Sequence, residues 1–477
     1  MDPTTKLDRD IQRKRKLLRH AEKTGDVAKN CRYFGAGRQD MNDPGLNTNT
    51  QPEARIDALP VFPPRPSVSL PRWYVLALLF GANLFAALDR MALSLLQEQI
   101  KVELHLTDQQ LGLLLGLAFA LFYSTLAIPL ARIADRSSRT RLLAICLALW
   151  SLMTAASGMA RNFSQLFILR MGVGVGEAGC LPAAQSLIGE MFPRERRAIA
   201  VSIFQSGAVV GGSAGLLIVG MLGQQYGWRV SLQAIAISGL PLAFLLALTV
   251  RDPRSAQTAR ETREPTRRAL AVLLRRRSFV HLLLGYSLGT VCTTGVMQWL
   301  PSYLMRSFNM SMVEVGAWSG LALLVGAVSG LLLGGFLVTW LSARDRRWEL
   351  WLPAVTMAMS LPVFILMFLS RTAWTVLVLK TFSQFLGSIS GGVAIATVQS
   401  FAEPHRRATA IALVLFATAL LGQGLGPFLI GTVSDLLAPT YGRESLRYAL
   451  FISCIMLAWA IVHYALAART SEADRVN

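Results

Sequence analysis

The sequence predicts an all-α membrane protein in which twelve transmembrane helices form two pseudo-symmetric halves of six helices each. Three observations support this prediction: the composition, the recurrence of long apolar stretches, and the placement of the basic residues between them. Hydrophobic residues make up 53% of the 477 residues, charged residues only 16%, and the mean hydropathy is +0.44. A composition this apolar favours a chain that is largely embedded in lipid over a soluble protein.

Apolar stretches of 18 or more residues recur along the chain, and each is long enough to cross a hydrocarbon core of ~30 Å as a helix. The twelve candidate spans begin near Trp73, Thr107, Arg141, Ser164, Ala198, Arg229, Phe279, Val313, Glu349, Ala373, Ala408 and Leu446. The longest polar interruption covers residues 251–277. It divides the spans six and six.

Arginine-rich segments occupy alternate loops: "ARIADRSSRTR", "FPRERRA", the central interruption, "SARDRRWE" and "EPHRRA". The positive-inside rule places these loops, and with them both termini, in the cytoplasm. The net charge of +19 therefore reflects membrane topology, and we expect no nucleic-acid partner. The short loops are typical of a multi-pass protein of the bacterial inner (plasma) membrane, which we expect to be monomeric.

These patterns divide the chain into five segments. Residues 1–71 form a basic, Pro-rich cytoplasmic tail that we predict to be disordered, and residues 72–250 form the N-terminal six-helix half. Residues 251–277 form a cytoplasmic central loop, 278–468 the C-terminal six-helix half, and 469–477 a second cytoplasmic tail. A short lipid-binding helix within "IQRKRKLLRHAEK" is the alternative for part of the first tail.

The two halves resemble one another. The segment "RRAIAVSIFQSGAVVGG", which starts at Arg196, aligns with "RRATAIALVLFATALLG", which starts at Arg406, an offset of 210 residues. Under the same offset Arg170 aligns with Lys380. Repeated halves of this kind are typical of secondary transporters, which hold their substrate near the midplane between the repeats.

Residues 174–179, "GVGEAG", match the G-x-G-x-x-G pattern of dinucleotide-binding sites. That site requires a strand before the glycines and an acid about twenty residues later, whereas these glycines lie inside an apolar span. Gly172, Gly176 and Cys180 instead recur every four residues. This spacing predicts a face of small residues that lets a neighbouring helix approach closely.

Other sequence patterns argue against an enzyme or an ATP-driven pump. The dipeptide Gly-Lys of the phosphate-binding loop does not occur, and no histidine is followed by glutamate, as in H-E-x-x-H metallohydrolases. The five scattered cysteines are interpreted as small hydrophobic residues. We therefore expect no catalytic activity, no cofactor and no metal. A membrane receptor that binds a ligand without transporting it remains an alternative.

Five charged residues fall inside the predicted spans: Asp89 and Arg90 in the first, Arg170 and Glu177 in the fourth, and Lys380 in the tenth. A charge within the membrane is costly unless it is paired or hydrated, so each is a candidate functional residue. At 1.5 Å per residue, all but Glu177 lie roughly 10 Å below the outer surface, and Glu177 lies two turns deeper. The alternatives are a structural ion pair or, for Lys380, a side chain that extends outward to the interface.

Weaker polar candidates occur near these charges. His281, near the start of the seventh span, and His463, near the end of the twelfth, are expected to lie at the interface. The other candidates either line a cavity or pack against neighbouring helices; they are Gln298, Trp299, Tyr303, Gln384 and Gln399.

The loop "ARIADRSSRTR", residues 131–141, resembles the signature G-x-L-x-D-R-x-G-R-R of the major facilitator superfamily. Asp135, Arg136 and Arg139 match it, while Ala131 and Ser138 replace its glycines. The resemblance implies that these three charged residues form a conformational gate at the cytoplasmic side. The corresponding segment of the second half, "GGFLVTWLSARDRR", has Thr339 in place of the acid, so any gate there differs.

The segments "LDRMALSLLQEQIKVELHLTDQQLGLLLGLAFALFYSTLAIPLARIADRSSR", "RMGVGVGEAG", "YGWR" and "WLPSYL" resemble the spinster-type branch of this superfamily. The resemblance implies that Asp89 and Glu177 couple transport to protons. It also implies that Arg90 and Arg170 bind an anionic headgroup, and we add Lys380 as a substrate-binding candidate because it aligns with Arg170. The anion:cation symporter branch, which also has an Asp-Arg pair in its first span, is the alternative.

The resemblance implies a secondary transporter, proton-coupled, that moves an amphipathic anion such as a lysolipid or a sphingolipid-like molecule by alternating access. Its expected partners are the small-molecule or lipid substrate, protons and membrane lipids. A symporter of small organic acids, aromatic or derived from sugars, is the alternative substrate class.

Overall fold

The computed structural model describes residues 71–250, 252, 266–345, 347–403 and 406–474. Within these ranges the chain is helical, and no β-strand occurs among the described residues. The predicted N-terminal tail before Pro71, most of the predicted central loop and the last residues of the C-terminal tail lie outside them.

The first half contains α1 (Arg72–Leu104), α2, α3 (Arg139–Ser157), α4 and α5 (Arg194–Thr249). Helix α2 runs through Asp108–Gly112, a π-helical segment Leu113–Leu117, and Ala118–Arg136. Helix α4 comprises Phe163–Ala178 and Cys180–Met191, which meet at Gly179. Thr107 begins α2 with a capping box, in which its hydroxyl accepts from the Gln110 backbone while the Gln110 side chain accepts from the Thr107 backbone.

The second half contains α6 (Thr266–Arg275), α7 (Arg277–Phe308), α8 (Met312–Ser342), α9 (Trp348–Leu369), α10 (Ala373–Ser400), α11 and α12 (Ser445–Asp474). Helix α11 also changes pitch: Arg407–Ala417 and Gly426–Tyr441 are α-helical, and Thr418–Leu425 between them is π-helical. The short helix α6 lies inside the segment predicted as the central loop. It packs against α7 and α11 and buries Leu273.

The prediction of twelve membrane crossings is confirmed. Among the described residues, nine helical stretches are long and apolar enough to cross a membrane. One of them, α5, has 56 residues and would be about 80 Å long if straight, so it crosses twice. Another, residues 409–471, combines α11 and α12. Helix α10, with 28 residues, supplies the remaining crossing.

The two crossings of α5 are separated at Gly227, within the segment "YGWR". Gly227 has φ 78° and ψ 169°, a backbone conformation that residues with a side chain rarely adopt. The next two residues fasten this bend to the end of α1, because the Trp228 indole nitrogen donates to Glu103 at 2.6 Å and Arg229 Nε donates to it at 2.8 Å.

The hydrophobic core is shared between the halves at one end of the bundle and divided at the other. Near the end of α1, buried residues of both halves form one cluster, for example Leu96, Leu114, Trp299 and Tyr303. Near the beginning of α1 the core separates into a cluster from the first half and another from the second. We call the shared end the outer end, since the predicted topology places it outside the cell.

The "GVGEAG" segment lies in α4, where its glycines allow close packing against α2 and α3. A Cβ atom at Gly176 would stand 2.8 Å from the backbone nitrogen of Trp150 and 3.0 Å from the carbonyl of Cys146. A Cβ atom at Gly172 would stand 2.7 Å from the sulfur of Met153. The predicted small-residue face is therefore a helix-packing surface.

We expect Gly176→Ala to destabilise the protein by about 1–3 kcal/mol, because the added methyl group meets the α3 backbone, which cannot move aside without shifting the helix. Gly189→Ala on the same helix is the matched control, since no atom lies within 4 Å of its Cβ position. Thermal unfolding of the purified protein in detergent, followed by tryptophan fluorescence, should show a lower Tm for the first variant only. Equal Tm values would contradict the packing interpretation.

Candidate functional site

Asp89 and Arg170 form a buried ion pair between α1 and α4. Arg170 Nη1 lies 3.1 Å from Asp89 Oδ2, and the hydroxyl of Thr154 on α3 donates to Asp89 Oδ1 at 2.8 Å. The residues are only 2% and 3% exposed. Two unlike charges can remain in such surroundings because each offsets much of the desolvation cost of the other.

Arg90 and Glu177 form a second ion pair between the same two helices. The Glu177 side chain is 2% exposed, whereas that of Arg90 is 30% exposed. The neighbouring residues Asp89 and Arg90 of α1 thus pair with two residues of α4 that are seven positions apart. The four charges predicted near one level in the membrane therefore divide: Asp89 and Arg170 pair, Arg90 turns to the deeper Glu177, and Lys380 remains on the other half.

Neither pair satisfies every polar atom. Among the described residues, Arg170 Nε and Glu177 Oε1 are buried without a hydrogen-bond partner. Arg170 Nε can therefore donate, and Glu177 Oε1 can accept, one further hydrogen bond, to a ligand or to water.

A cavity of about 530 Å³ lies between the halves. Its volume is in the range of small-molecule sites in proteins. It is lined from the first half by α1 and α5 and from the second half by α7, α8, α9, α10 and α12. Arg90 and Lys380 are the charged residues of the lining among those described; Asp89, Arg170 and Glu177 lie behind the wall.

Lys380 is 7% exposed and faces this cavity rather than the membrane interface. Its Nζ donates to Gln384 Oε1 at 3.3 Å, one helical turn along α10. Serine and threonine residues of the second half line the same cavity: Thr290, Thr293 and Thr294 of α7, Thr356 and Ser360 of α9, and Ser383, Ser388 and Ser390 of α10. The second half therefore contributes most of the polar wall.

A charged network that sequence reasoning missed closes the outer end. Arg306 of α7 donates to both carboxylate oxygens of Asp108 at 2.7 Å and to Glu98 at 2.7–3.0 Å. Lys101 lies 2.5 Å from Asp108, and the hydroxyl of Ser434 donates to Asp108 at 2.7 Å. The sequence carries a charge at the end of each of these spans, and none of these charges was among the predicted site residues.

The same network binds the beginning of α2 to α11. The Asp435 carboxylate accepts from the backbone nitrogens of Asp108 and Gln109 at 3.0 and 2.7 Å, as expected of an acid at a helix N-terminus. Further inward, the Gln298 carbonyl of α7 accepts from Ser94 and Gln97 of α1 at 2.7 and 2.9 Å. These contacts hold the two halves together on the outer side of the cavity.

The predicted cytoplasmic gate is described only in part. The structure describes the backbone of Asp135 and Arg136 at the end of α2, and their side chains lie outside the described residues. Arg139 is buried and forms ion pairs with Glu190 and with Asp252, the latter at 2.8 Å. Glu190 belongs to the first half and Asp252 to the beginning of the predicted central loop, and sequence reasoning had not identified either of them as a partner.

The weaker candidates occupy several places. Gln384 lines the cavity beside Lys380, whereas the side chain of Gln399 lies outside the described residues. Trp299 and Tyr303 are buried in the outer core, where the Trp299 indole donates to the Pro427 carbonyl at 2.9 Å. His281 and His463, which were expected to be interfacial residues, face one another with 3.0 Å between their Nδ1 atoms.

Comparisons with known proteins agree with this architecture. The sequence profile of the Major Facilitator Superfamily matches residues 78–427. An "MFS-type efflux pump" of Mycolicibacterium smegmatis is 32% identical over 399 residues, which cover 83% of this chain and 93% of the relative. A "Probable L-galactonate transporter" of Escherichia coli is 28% identical over 277 residues, covering 55% of this chain and 61% of the relative.

A solved structure confirms the resemblance to spinster-type proteins. It is described as a bacterial homolog to the human lysosomal transporter Spinster in an inward-facing and unoccupied conformation. It has a TM-score of 0.77 and 27% sequence identity to this protein, and the match covers 85% of this chain and 98% of that one. The closed outer end agrees with an inward-facing arrangement.

We expect Arg306→Gln to weaken the closed outer end, because it removes the cation shared by Glu98 and Asp108. Breaking a buried ion pair costs about 3–5 kcal/mol. Even a third of that would raise access to the cavity from outside roughly tenfold. The measurement is the rate at which a membrane-impermeant maleimide, applied to the outer side of vesicles, modifies the thiol introduced by Thr293→Cys in an otherwise cysteine-free chain.

Arg229→Gln is the matched control for Arg306→Gln. Arg229 also pairs with an acid at the outer end, Glu103, but both residues belong to the first half. The Arg229→Gln substitution should therefore leave the labelling rate of Cys-substituted position 293 close to its rate in the protein that keeps both arginines. An Arg306→Gln rate no faster than this control would show that the network does not hold the outer end closed.

Proposed function

The chain belongs to the Major Facilitator Superfamily of membrane transporters, and we propose that it is a proton-coupled secondary transporter that moves an organic anion by alternating access. The observation that carries this proposal is the pair of buried carboxylate–arginine contacts between α1 and α4 beside the central cavity. Each contact joins a group that can take up a proton to a group that can bind an anion.

The second pair connects most directly to the cavity. Arg90 lines the cavity, and Glu177 lies behind it. An anionic substrate that binds the Arg90 guanidinium competes with the Glu177 carboxylate for it. A buried carboxylate that loses its counter-charge is stabilised by taking up a proton, since the low-dielectric surroundings favour its neutral form. Substrate binding and protonation of Glu177 are thereby coupled.

The first pair would act in the same way from behind the wall. Protonation of Asp89 releases the Arg170 guanidinium, whose Nε already lacks a partner among the described residues. We propose that Arg170 then contributes to binding the anion together with Arg90 and Lys380. The Thr154 hydroxyl keeps Asp89 oriented in the ionised state, because it donates to Oδ1.

The first substrate class we propose is an amphipathic anion such as a lysolipid or sphingolipid-like molecule. One part of the cavity wall is apolar and includes Met91, Val209, Leu323 and Leu331, which would accommodate a hydrocarbon segment. The resemblance of the sequence to spinster-type proteins implies this class. The second class is a small organic acid, and the hydroxyl-rich wall and the "Probable L-galactonate transporter" relative favour it.

In alternating access the outer end of the cavity would open while the cytoplasmic end closes, and the reverse. In the present arrangement the outer network around Asp108 and Arg306 is formed. In the opposite arrangement we propose that Asp135, Arg136 and Arg139 contribute to closing the cytoplasmic end as the halves rock. We further propose a monomer in the bacterial inner membrane with both termini in the cytoplasm.

We expect Glu177→Gln and Asp89→Asn each to lower accumulation driven by an imposed pH gradient at least about tenfold, because removal of a proton carrier uncouples transport, and general acid–base groups contribute this much or more. Substrate exchange without a gradient should persist, since the cavity remains. The measurement is uptake and counterflow by the purified protein in proteoliposomes, with lysophosphatidylglycerol and glucuronate as test substrates.

Glu103→Gln is the matched control, because Glu103 is also ion-paired in the first half but lies at the outer end, away from the cavity. It should keep normal gradient-driven accumulation. Normal accumulation in both the Glu177→Gln and the Asp89→Asn protein would refute the assignment of these carboxylates to proton coupling.

A further inference from the structure

Lys380 differs from the other buried cations of the central region in having no acid beside it. Arg170 pairs with Asp89, and Arg90 pairs with Glu177. Among the described residues, no carboxylate lies within 4 Å of Lys380, and its hydrogen-bond partner is the neutral Gln384. A cation that is 7% exposed in the middle of a membrane protein is costly unless an anion accompanies it.

The internal repeat sharpens this difference between the halves. Under the 210-residue offset, Lys380 aligns with Arg170 and Gly387 aligns with Glu177. Gly387 lines the cavity, and no atom lies within 4 Å of its Cβ position. The second half thus keeps the cation of α4 but has open space where the first half has its acid. With both arginine pairs neutral, the site carries one uncompensated positive charge.

Most of the serine and threonine hydroxyls that line the cavity from the second half make the same kind of hydrogen bond. Those of Thr290, Thr293, Thr356, Ser360, Ser383 and Ser390 donate to backbone carbonyls of their own helices at 2.7–3.1 Å. Each hydroxyl has one hydrogen and two lone pairs, so a group that donates to the backbone offers lone pairs to a ligand. This wall therefore favours a ligand whose own hydroxyl groups donate hydrogen bonds.

We propose that Lys380 is the anion-binding residue of the second half and that the site selects a singly charged anion bearing hydroxyl groups. The inference rests on the proposed transport function and specifies its substrate. A free hydroxy acid and the glycerol-phosphate headgroup of a lysolipid share this chemistry. A doubly charged anion would bring a second charge that could be neutralised only if an arginine pair separated and its acid took up a proton, so it binds less tightly than a singly charged anion.

The experiment measures binding to the full-length protein in lipid nanodiscs by calorimetry, without a proton gradient. One series contains glucuronate, its neutral amide glucuronamide and the doubly charged glucarate. The other contains singly charged lysophosphatidylglycerol and zwitterionic lysophosphatidylcholine. We expect saturable binding of the singly charged member of at least one series, with Kd roughly tenfold or more below that of its neutral or zwitterionic counterpart. The series that binds identifies the source of the anion.

Two variants remove the uncompensated charge in different ways. Lys380→Met deletes it, and Gln384→Glu places an isosteric carboxylate beside it, where the amide oxygen now lies 3.3 Å from Nζ. Both should raise the Kd of the singly charged ligand roughly tenfold or more and leave that of the neutral ligand unchanged. Lys380→Arg should retain most of the affinity. Arg371→Met, an exposed cation between α9 and α10, is the control for loss of a positive charge.

Three results would overturn the proposal: equal Kd values for charged and neutral members, full affinity in Lys380→Met and Gln384→Glu, or no binding of either singly charged ligand. These results are independent of proton coupling, because binding is measured without a gradient. If the Lys380→Met protein loses affinity and the unsubstituted protein shows no gradient-driven uptake, the proposed binding site is supported and the proposed transport mechanism is refuted.

Discussion

The cost of placing an ionised side chain in a low-dielectric interior governs the arrangement of this protein. Such a charge is stable only beside an opposite charge or a ligand. In the first half the protein meets this requirement internally, through Asp89 with Arg170 and Arg90 with Glu177. Because both pairs join α1 to α4, any event that separates a pair also changes how these two helices interact.

The same cost explains how the outer end is closed. Asp108 is 2% exposed and accepts from Arg306, Lys101 and Ser434, which come from both halves. A carboxylate buried this deeply cannot lose its partners unless water replaces them. The proposed opening of the outer end would therefore require water to enter as the halves separate.

The two halves share an arrangement of six crossings but differ in their charges. Each half contributes crossings that surround the cavity, and each contains one π-helical segment, Leu113–Leu117 in α2 and Thr418–Leu425 in α11, which the 210-residue offset does not align. The acids of the central region, however, belong to the first half alone among the described residues, whereas the second half supplies Lys380 and a wall of hydroxyl groups. In the proposed mechanism the first half therefore takes up the protons, and both halves contribute cations to binding the anion.

The sequence by itself determined the crossings, the division into halves and the small set of charges within the membrane. It could do so because hydrophobic length and loop charge are local properties of the chain. It also separated "GVGEAG" from nucleotide-binding sites, since the glycines lie in an apolar helix. Only the tertiary structure decided which charge pairs with which, because pairing depends on the rotation and depth of helices far apart in sequence. It placed Arg170 behind the cavity wall and Lys380 in it, and it brought Asp108 to Arg306, 198 residues away.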